Sequence, residues 1–341
     1  MKLSRALFLA LIAFSVAAPA PWGNDAYAKS KKSSYSTSKV SKAKTTGKKY
    51  ARKNRGSYAA PKFSALVVDA ETGQVLYEQN AASIRYPASL TKMMTLYMTF
   101  DALKKGKFSL DQMLPVSAKA ASQPQTNIAL NKGDEISVRD AVESVVVRSA
   151  NDSAMVLAEA LGETQWNFAL MMTNKARQLG MKDTVFRNPN GLPDNQQHTT
   201  AYDMARLGIA LRRDFPEYYH FFSKQEFAYN GVVYPGHNRV LDRYPGADGL
   251  KTGYIRASGF NLVTSVKRDD YKLVAVIMGG SSANSRDNQM MAMLDRTLAQ
   301  LEDNKSKGLA AYSGFEKKIN LSQVEETAGS DSPQVIAMQG Y

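Results

Sequence analysis

The chain has 341 residues, of which 44% are hydrophobic, and it contains no cysteine. Disulfides, thiolate catalysis and cysteine-ligated metals are therefore excluded, and three histidines are too few for a histidine-rich metal site. The formal net charge of +13 is concentrated in the first 57 residues, because the rest of the chain carries 31 basic and 30 acidic residues. A nearly neutral folded part argues against a nucleic-acid-binding groove.

Residues 1–28 have the features of a secretory signal peptide. Lys2 and Arg5 precede an apolar run at residues 6–18, and Ala26 and Ala28 form a small-x-small cleavage pattern. Prolines interrupt the run before it reaches the ~20 apolar residues of a membrane span. We therefore expect an exported protein of the periplasm or cell wall, soluble or loosely membrane-associated.

Residues 29–60 are rich in lysine, serine and threonine and poor in large apolar side chains. Such a segment buries too little surface to offset its ordering entropy, so we predict a basic disordered linker. Two interpretations stay open, namely a solvated spacer and a segment attracted electrostatically to an anionic envelope polymer.

From residue 61 onwards, strand patterns lie at both ends of the folded part and helical patterns lie between them. The predicted strands are at 62–69, 74–77, 250–254, 260–266 and 271–278. The predicted helices are at 89–103, 138–148, 152–161, 166–179, 200–212 and 286–301. We expect an α/β (α+β) fold, in which an antiparallel sheet of about five strands from both chain ends is flanked by helices and carries an inserted helical lobe. The domain would span residues 61–303, followed by a flexible C-terminal tail at 304–341.

Ser89 begins the first long predicted helix, and Lys92 lies three positions later on the same face. A serine hydroxyl needs a neighbouring base, and since Ser-His-Asp and Gly-x-Ser-x-Gly contexts are absent, a lysine is the simplest choice. That lysine must be neutral near pH 7, which requires burial or nearby positive charge such as Lys251. By itself the pattern favours a helix cap with a surface lysine, and Ser-x-x-Lys recurs at Ser36 and Ser41.

Two further patterns follow downstream. Ser149 and Asn151 form a Ser-x-Asn pattern that recurs at Ser282, so it is unspecific alone, whereas Lys-Thr-Gly occurs once, at residues 251–253. The glycine lets a strand backbone approach a ligand closely. The alternative for the lysine is a charged residue that protects a sheet edge.

In this order, the three patterns resemble the penicillin-recognising serine enzymes. Residues 186–193, 200–205, 248–250 and 259–262 are similar to the D-alanyl-D-alanine carboxypeptidases among them, the low-molecular-mass penicillin-binding proteins. The resemblance covers roughly residues 58–301 and implies the DD-peptidase/β-lactamase-like fold, without a metal or cofactor. It implies removal of the terminal D-alanine from peptidoglycan stem peptides, with β-lactams as covalent inhibitors.

The resemblance also implies roles for individual residues. The catalytic residues would be the acylated Ser89, its base Lys92 and the proton relay Ser149. The substrate would be bound by Asn151, Lys251, Thr252, Gly253, Tyr254 and Arg286, with Arg239 as a weaker match. The oxyanion would be held by the backbone N–H groups of Ser89 and Tyr254.

Three alternatives use the same resemblance. A class A β-lactamase needs a glutamate that activates the deacylating water, with an asparagine four residues later. Glu163 and Asn167 have that spacing but lie too soon after Ser149. We therefore do not expect efficient β-lactam hydrolysis. A DD-endopeptidase that cleaves D-Ala cross-links stays open, because only 40 residues follow Leu301 and the shorter members of the family are commonly endopeptidases. A non-catalytic wall-binding protein is disfavoured by the complete set of motif residues.

Overall fold

The structure is a computed structural model that describes residues 63–268 and 270–321. The predicted signal peptide and basic linker, and residues 322–341 of the predicted tail, lie outside the described residues. The described strands are β1 (Ser64–Asp69), β2 (Val75–Gln79), β3 (Met113–Pro115), β4 (Glu135–Ser137), β5 (Glu226–Tyr229), β6 (Val232–Pro235), β7 (Ala247–Ile255), β8 (Gly259–Arg268) and β9 (Tyr271–Gly280). The described α-helices are α1 (Lys92–Lys104), α2 (Ala118–Ala121), α3 (Val138–Val147), α4 (Asn151–Gly162), α5 (Gln165–Gln178), α6 (Ala201–Asp214), α7 (Val240–Arg243) and α8 (Ala283–Ser306).

One five-stranded antiparallel sheet unites the two ends of the domain. Its strand order is β2-β1-β9-β8-β7, so the N-terminal hairpin joins the C-terminal strands through the pairing of β1 with β9. This arrangement confirms the predicted α/β (α+β) fold with a sheet built from distant segments. Because β7 is the last strand in the order, one of its edges has no neighbouring strand.

The sheet is covered on both faces, and β1 shows why. Successive side chains of a strand point to opposite faces, and Leu66 and Val68 belong to one hydrophobic cluster while Ala65 and Val67 belong to another. The first cluster contains residues of α1, α3, α4 and α6. The second contains the apolar stripe of α8 around Leu294, as the methionine-rich pattern predicts.

The helical lobe lies between β2 and β7, and α1 runs through its centre. The sequence predicts a helix with an apolar face, whereas in the structure only Asp101 and Lys104 of α1 are not buried. A helix enclosed on all sides needs partners for its polar side chains. Thr95 meets this need by donating to the carbonyl of Pro189, at 2.8 Å, which ties α1 to the loop that follows α5.

The beginning of the predicted C-terminal tail contacts the domain, where we expected a flexible segment from residue 304. Helix α8 continues to Ser306, and the chain then returns along the β1–β2 turn. Ile319 is only 6% exposed and donates its backbone N–H to the carbonyl of Gly73, at 2.9 Å. Within residues 63–268 and 270–321, no helix is both long enough and apolar enough to span a membrane.

Candidate active site

Ser89 lies in a short 3-10 turn (Ala88–Thr91) that leads into α1. The turn is held from the sheet, because the Asn261 side chain on β8 donates to the carbonyls of Tyr86 and Pro87, at 3.1 and 3.2 Å. The backbone of β7 also lies close to this turn. A Cβ atom at Gly253 would lie 3.0 Å from the Ser89 nitrogen, so glycine at this position permits the close approach of β7 to the nucleophile.

Lys92 is fully buried one turn below Ser89. Its Nζ lies 3.3 Å from Ser89 Oγ and donates to Asn151 Oδ1 at 2.7 Å and to the Asn190 carbonyl at 2.6 Å. Burial, assisted by the positive charge of Lys251, lowers the pKa of Lys92 well below its ordinary value. A neutral amine has a lone pair, so this lysine can accept the proton of the Ser89 hydroxyl.

Ser149 and Asn151 flank the junction between α3 and α4. Ser149 has a left-handed backbone, with φ of 62°, and its buried Oγ has no hydrogen-bond partner among the described residues. Asn151 is tied in place, because its side chain accepts from Lys92 and donates to the carbonyl of Pro124, at 2.8 Å. Beside Lys92, the Asn151 amide is therefore hydrogen-bonded through both its oxygen and its nitrogen, whereas the Ser149 hydroxyl is available to a ligand.

The loop at residues 188–193 completes the environment of Lys92. The Asn188 side chain accepts from the backbone N–H groups of Gly191 and Leu192, at 2.8 and 3.1 Å. This turn sets the Asn190 carbonyl on the Lys92 amine. The Asn190 side chain also donates to the Asn151 carbonyl, at 2.7 Å, and the sequence predicts a loop here but neither of these contacts.

Lys251 on β7 is also buried, and its Nζ donates to the Thr252 carbonyl at 3.2 Å. Burial and the nearby Arg286 guanidinium lower the pKa of Lys251 to about 7. Arg286 itself is 3% exposed, and its Nε and Nη2 both donate to Asp287 Oδ1, at 2.9 and 2.6 Å. The guanidinium fork that we expected to bind a substrate carboxylate is thus occupied by Asp287, which leaves Arg286 as a source of positive charge.

These segments enclose a cleft of about 710 Å³. The residues from the predicted set that line it are Ser89, Ser149, Asn151, Thr252, Gly253, Tyr254 and Arg286. Lys92 and Lys251 are buried beneath this surface. The two residues expected to supply oxyanion N–H groups, Ser89 and Tyr254, therefore lie on one cleft, together with the weaker match Arg239.

Two features lie away from this cleft. Glu163 is exposed at the C-terminal end of α4 and does not line the cleft, as the short spacing from Ser149 predicts. A second cavity of about 770 Å³ lies between α6 and the β8–β9 turn and contains none of the predicted site residues. Size alone therefore does not identify the site, whereas the convergence of Ser89, Lys92 and Lys251 does.

Comparison with known proteins agrees with this geometry. The peptidase S11 family model, described as D-alanyl-D-alanine carboxypeptidase, matches residues 33–282. The D-alanyl-D-alanine carboxypeptidase DacF of Bacillus subtilis is 33% identical over 248 residues, which cover 70% of this chain and 62% of the relative. DacD of Escherichia coli is 36% identical over 238 residues, or 68% of this chain and 61% of the relative. The chain thus spans about three fifths of the length of these curated relatives.

The solved structures agree as well. Penicillin binding protein 5 from Haemophilus influenzae superposes with a TM-score of 0.67 at 34% identity, over 69% of this chain and 70% of that one. The same family is indicated by the sequence motifs, the fold, the geometry of the site and the family model. This chain belongs to the peptidase S11 family of D-alanyl-D-alanine carboxypeptidases.

Proposed function

We propose that the protein is a serine DD-carboxypeptidase that removes the terminal D-alanine from peptidoglycan stem peptides. The observation that carries this proposal is the buried Lys92 amine, which has a lowered pKa and lies 3.3 Å from Ser89 Oγ. A neutral lysine next to a serine hydroxyl at the wall of a cleft is suited to acyl transfer. The names of the relatives supply the substrate class, a peptide that ends in D-Ala-D-Ala.

In the proposed acylation step, Lys92 takes the Ser89 proton while Oγ attacks the carbonyl carbon of the penultimate D-alanine. The resulting oxyanion accepts hydrogen bonds from the backbone N–H groups of Ser89 and Tyr254, where one donor is typically worth ~3 kcal/mol. The C–N bond then breaks, and the proton on Lys92 passes through the Ser149 hydroxyl to the leaving amine. Free D-alanine departs and leaves an ester on Ser89.

Deacylation reverses these roles with water. Lys92 accepts a proton from the water that attacks the ester carbonyl, and the proton returns to Ser89 Oγ as the C–O bond breaks.

Before acylation, the carboxylate of the terminal D-alanine would lie near the Thr252 hydroxyl and the positive charges of Lys251 and Arg286. The low pKa of Lys251 makes this charge dependent on pH.

A β-lactam would acylate Ser89 by the same chemistry, in keeping with the name of the structural neighbour that binds penicillin. Its ring-opened leaving group stays attached and would obstruct the water that Lys92 activates in deacylation, and no carboxylate of the described residues lines the cleft to activate water from another direction. The ester should therefore persist. Rapid hydrolysis of a chromogenic cephalosporin would contradict this proposal.

The test is to incubate the protein with defined monomeric and cross-linked muropeptides and to identify the products by mass. Free D-alanine from monomers supports the carboxypeptidase. Conversion of dimers to monomers without D-alanine release would instead establish the endopeptidase. Ser89→Ala should lose both product formation and penicillin labelling, and labelling that survives would show that the nucleophile is another residue.

We further propose that the protein is exported and acts in the periplasm or cell wall, since its proposed substrate is found there. Residues 29–57 carry eleven basic and no acidic side chains, which suits attraction to an anionic envelope polymer. Deletion of these residues should release the protein from envelope fractions at low salt. Retention that is unchanged by the deletion identifies the segment as a spacer.

A further inference from the structure

We propose that Arg256 forms a subsite for a second anionic group of the substrate, carried by the side chain two residues before the terminal D-alanine. This inference rests on the proposed function, because it refers to a peptide of the form X-D-Ala-D-Ala, where X is the residue in question. It adds a selectivity that the catalytic residues do not account for: a substrate with a carboxylate on X would be preferred over one with a neutral X.

Arg256 is exposed at the end of β7 and lines the same cleft as Ser89. The two other arginines of the cleft, Arg239 and Arg286, both hydrogen bond to Asp287. Arg256 forms neither an ion pair nor a side-chain hydrogen bond with any residue in the described ranges. Its guanidinium is thus available to a ligand, and it can bind a carboxylate through two parallel hydrogen bonds.

The strand geometry of β7 relates Arg256 to the scissile bond. Arg256 follows Ile255, the last residue of β7, and is the first residue of the turn that joins β7 to β8. In the proposed mechanism, Thr252 contacts the leaving D-alanine and Tyr254 lies at the reacting carbonyl. X precedes the penultimate D-alanine by one residue, or ~3.4 Å in an extended chain, which places X opposite Ile255. An extended peptide antiparallel to the free edge of β7 therefore brings X next to Arg256.

The charges of the cleft favour an anion at this place. Its described lining contains Arg239, Arg256 and Arg286 but no aspartate or glutamate. The terminal carboxylate of the substrate uses the positive charge at the Thr252 end, so Arg256 is left for a different group. The exposed Tyr254 ring, whose centroid lies 4.3 Å from that of Phe260, offers an apolar surface for the aliphatic part of X.

The experiment compares two N-acetylated tripeptides that end in D-Ala-D-Ala and differ only at X, which is glutamate in one and glutamine in the other. D-alanine release should give a kcat/KM about tenfold higher for the glutamate peptide, and added salt should reduce this preference because the ion pair is exposed. In Arg256→Gln the preference should fall to about one. Arg296→Gln removes the same charge from α8 outside the cleft and should retain the preference.

A second measurement separates this inference from the proposed function. The same peptides compete with a fluorescent penicillin for Ser89, which reports binding whether or not the peptide is hydrolysed. An Arg256-dependent advantage of the glutamate peptide in competition, without D-alanine release from either peptide, would support the subsite and overturn the carboxypeptidase. Equal competition and equal kcat/KM of the two peptides in the unmodified protein would overturn the subsite.

Discussion

Ser149 carries the one hydroxyl of the motif residues that is buried without a hydrogen-bond partner in the described part of the chain. An unsatisfied buried hydroxyl adds little to stability, so Ser149→Ala should change the free energy of unfolding by less than ~1 kcal/mol. Loss of a proton relay should nevertheless lower kcat for D-alanine release by ~10²–10⁴-fold. Urea denaturation and steady-state kinetics on the same variant check both parts.

Ser144 provides the matched control for that variant. It is buried five residues earlier on α3, but its Oγ is hydrogen-bonded to Ala141 O and Ser153 Oγ, at 2.9 and 2.7 Å. Ser144→Ala should therefore lower stability by ~1–3 kcal/mol, because it strands a buried partner, while catalysis by the folded fraction is retained. If Ser149→Ala behaves like Ser144→Ala, the hydroxyl of Ser149 is structural.

Lys251 should make the reaction sensitive to pH on the alkaline side. The productive enzyme has a neutral Lys92 and a protonated Lys251, and the pKa of Lys251 is lowered to about 7. Above that pH the free enzyme loses the positive charge that attracts the substrate carboxylate, so kcat/KM should fall. Lys251→Gln should have a lower kcat/KM and no alkaline limb from this residue. An identical alkaline limb in wild type and Lys251→Gln would assign that limb to another group.

At the residue scale, the sequence predicts side-chain chemistry but not the partners that tune it. The Ser89–Lys92 spacing on a helix predicts their contact, and the structure brings the two side chains together. The occupation of Arg286 by the adjacent Asp287 was missed. That contact depends on the conformation of a buried arginine, which neither spacing nor composition determines.

At the scale of elements, the loop at residues 188–193 packs against the turn that carries Ser89 (Ala88–Thr91). Gly191 has φ of +84°, and a Cβ atom there would lie 1.8 Å from the Ala88 carbonyl oxygen. Gly191→Ala should push the loop off the turn and displace the Asn190 carbonyl from Lys92. We expect the rate of Ser89 acylation by a fluorescent penicillin to fall by more than about tenfold, since a 1 Å displacement near reacting groups can cost ~100-fold.

Gly133→Ala is the control that separates the steric clash expected in Gly191→Ala from the backbone strain of a positive φ. It has φ of +90°, and nothing lies within 4 Å of the position that a Cβ atom would take. Gly133→Ala imposes a comparable strain of ~1–2 kcal/mol without a contact to the site, so it should slow acylation by less than a factor of two. Equal rates in the two variants would mean that the loop does not position Ser89.

At the element scale, long patterns are predictable and short ones are not. The five strands of the central sheet and the six longer helices correspond to patterns read from the sequence. The antiparallel pair β3–β4 and the hairpin β5–β6 are not predicted, because strands of three or four residues show too few alternations to be distinguished from loops. The β5–β6 hairpin leads directly to His237 at the cleft wall, so part of the site escaped prediction with it.

At the scale of the whole molecule, the site depends on the pairing of the two chain ends. Ser89 follows the N-terminal hairpin, whereas Thr252 lies on a C-terminal strand, and the order β2-β1-β9-β8-β7 brings them to one cleft. Because both faces of the sheet are buried in hydrophobic clusters, the pairing of the two chain ends is part of the hydrophobic core. Residues 310–321 extend that core beyond α8, because the Lys317 carbonyl and the Ile319 N–H hydrogen bond to the backbone of Val75 and Gly73.

The segment after α8 should therefore contribute to global stability. Ile319 is 6% exposed and belongs to the main hydrophobic cluster, so Ile319→Ala should lower the free energy of unfolding by ~2–4 kcal/mol. Leu309, in the same segment, is 49% exposed, and Leu309→Ala should change it by less than ~0.5 kcal/mol. Urea denaturation of both variants tests the difference. If Ile319→Ala were no more destabilising than Leu309→Ala, residues 310–321 would be a flexible tail after all, and the stable core would end with α8.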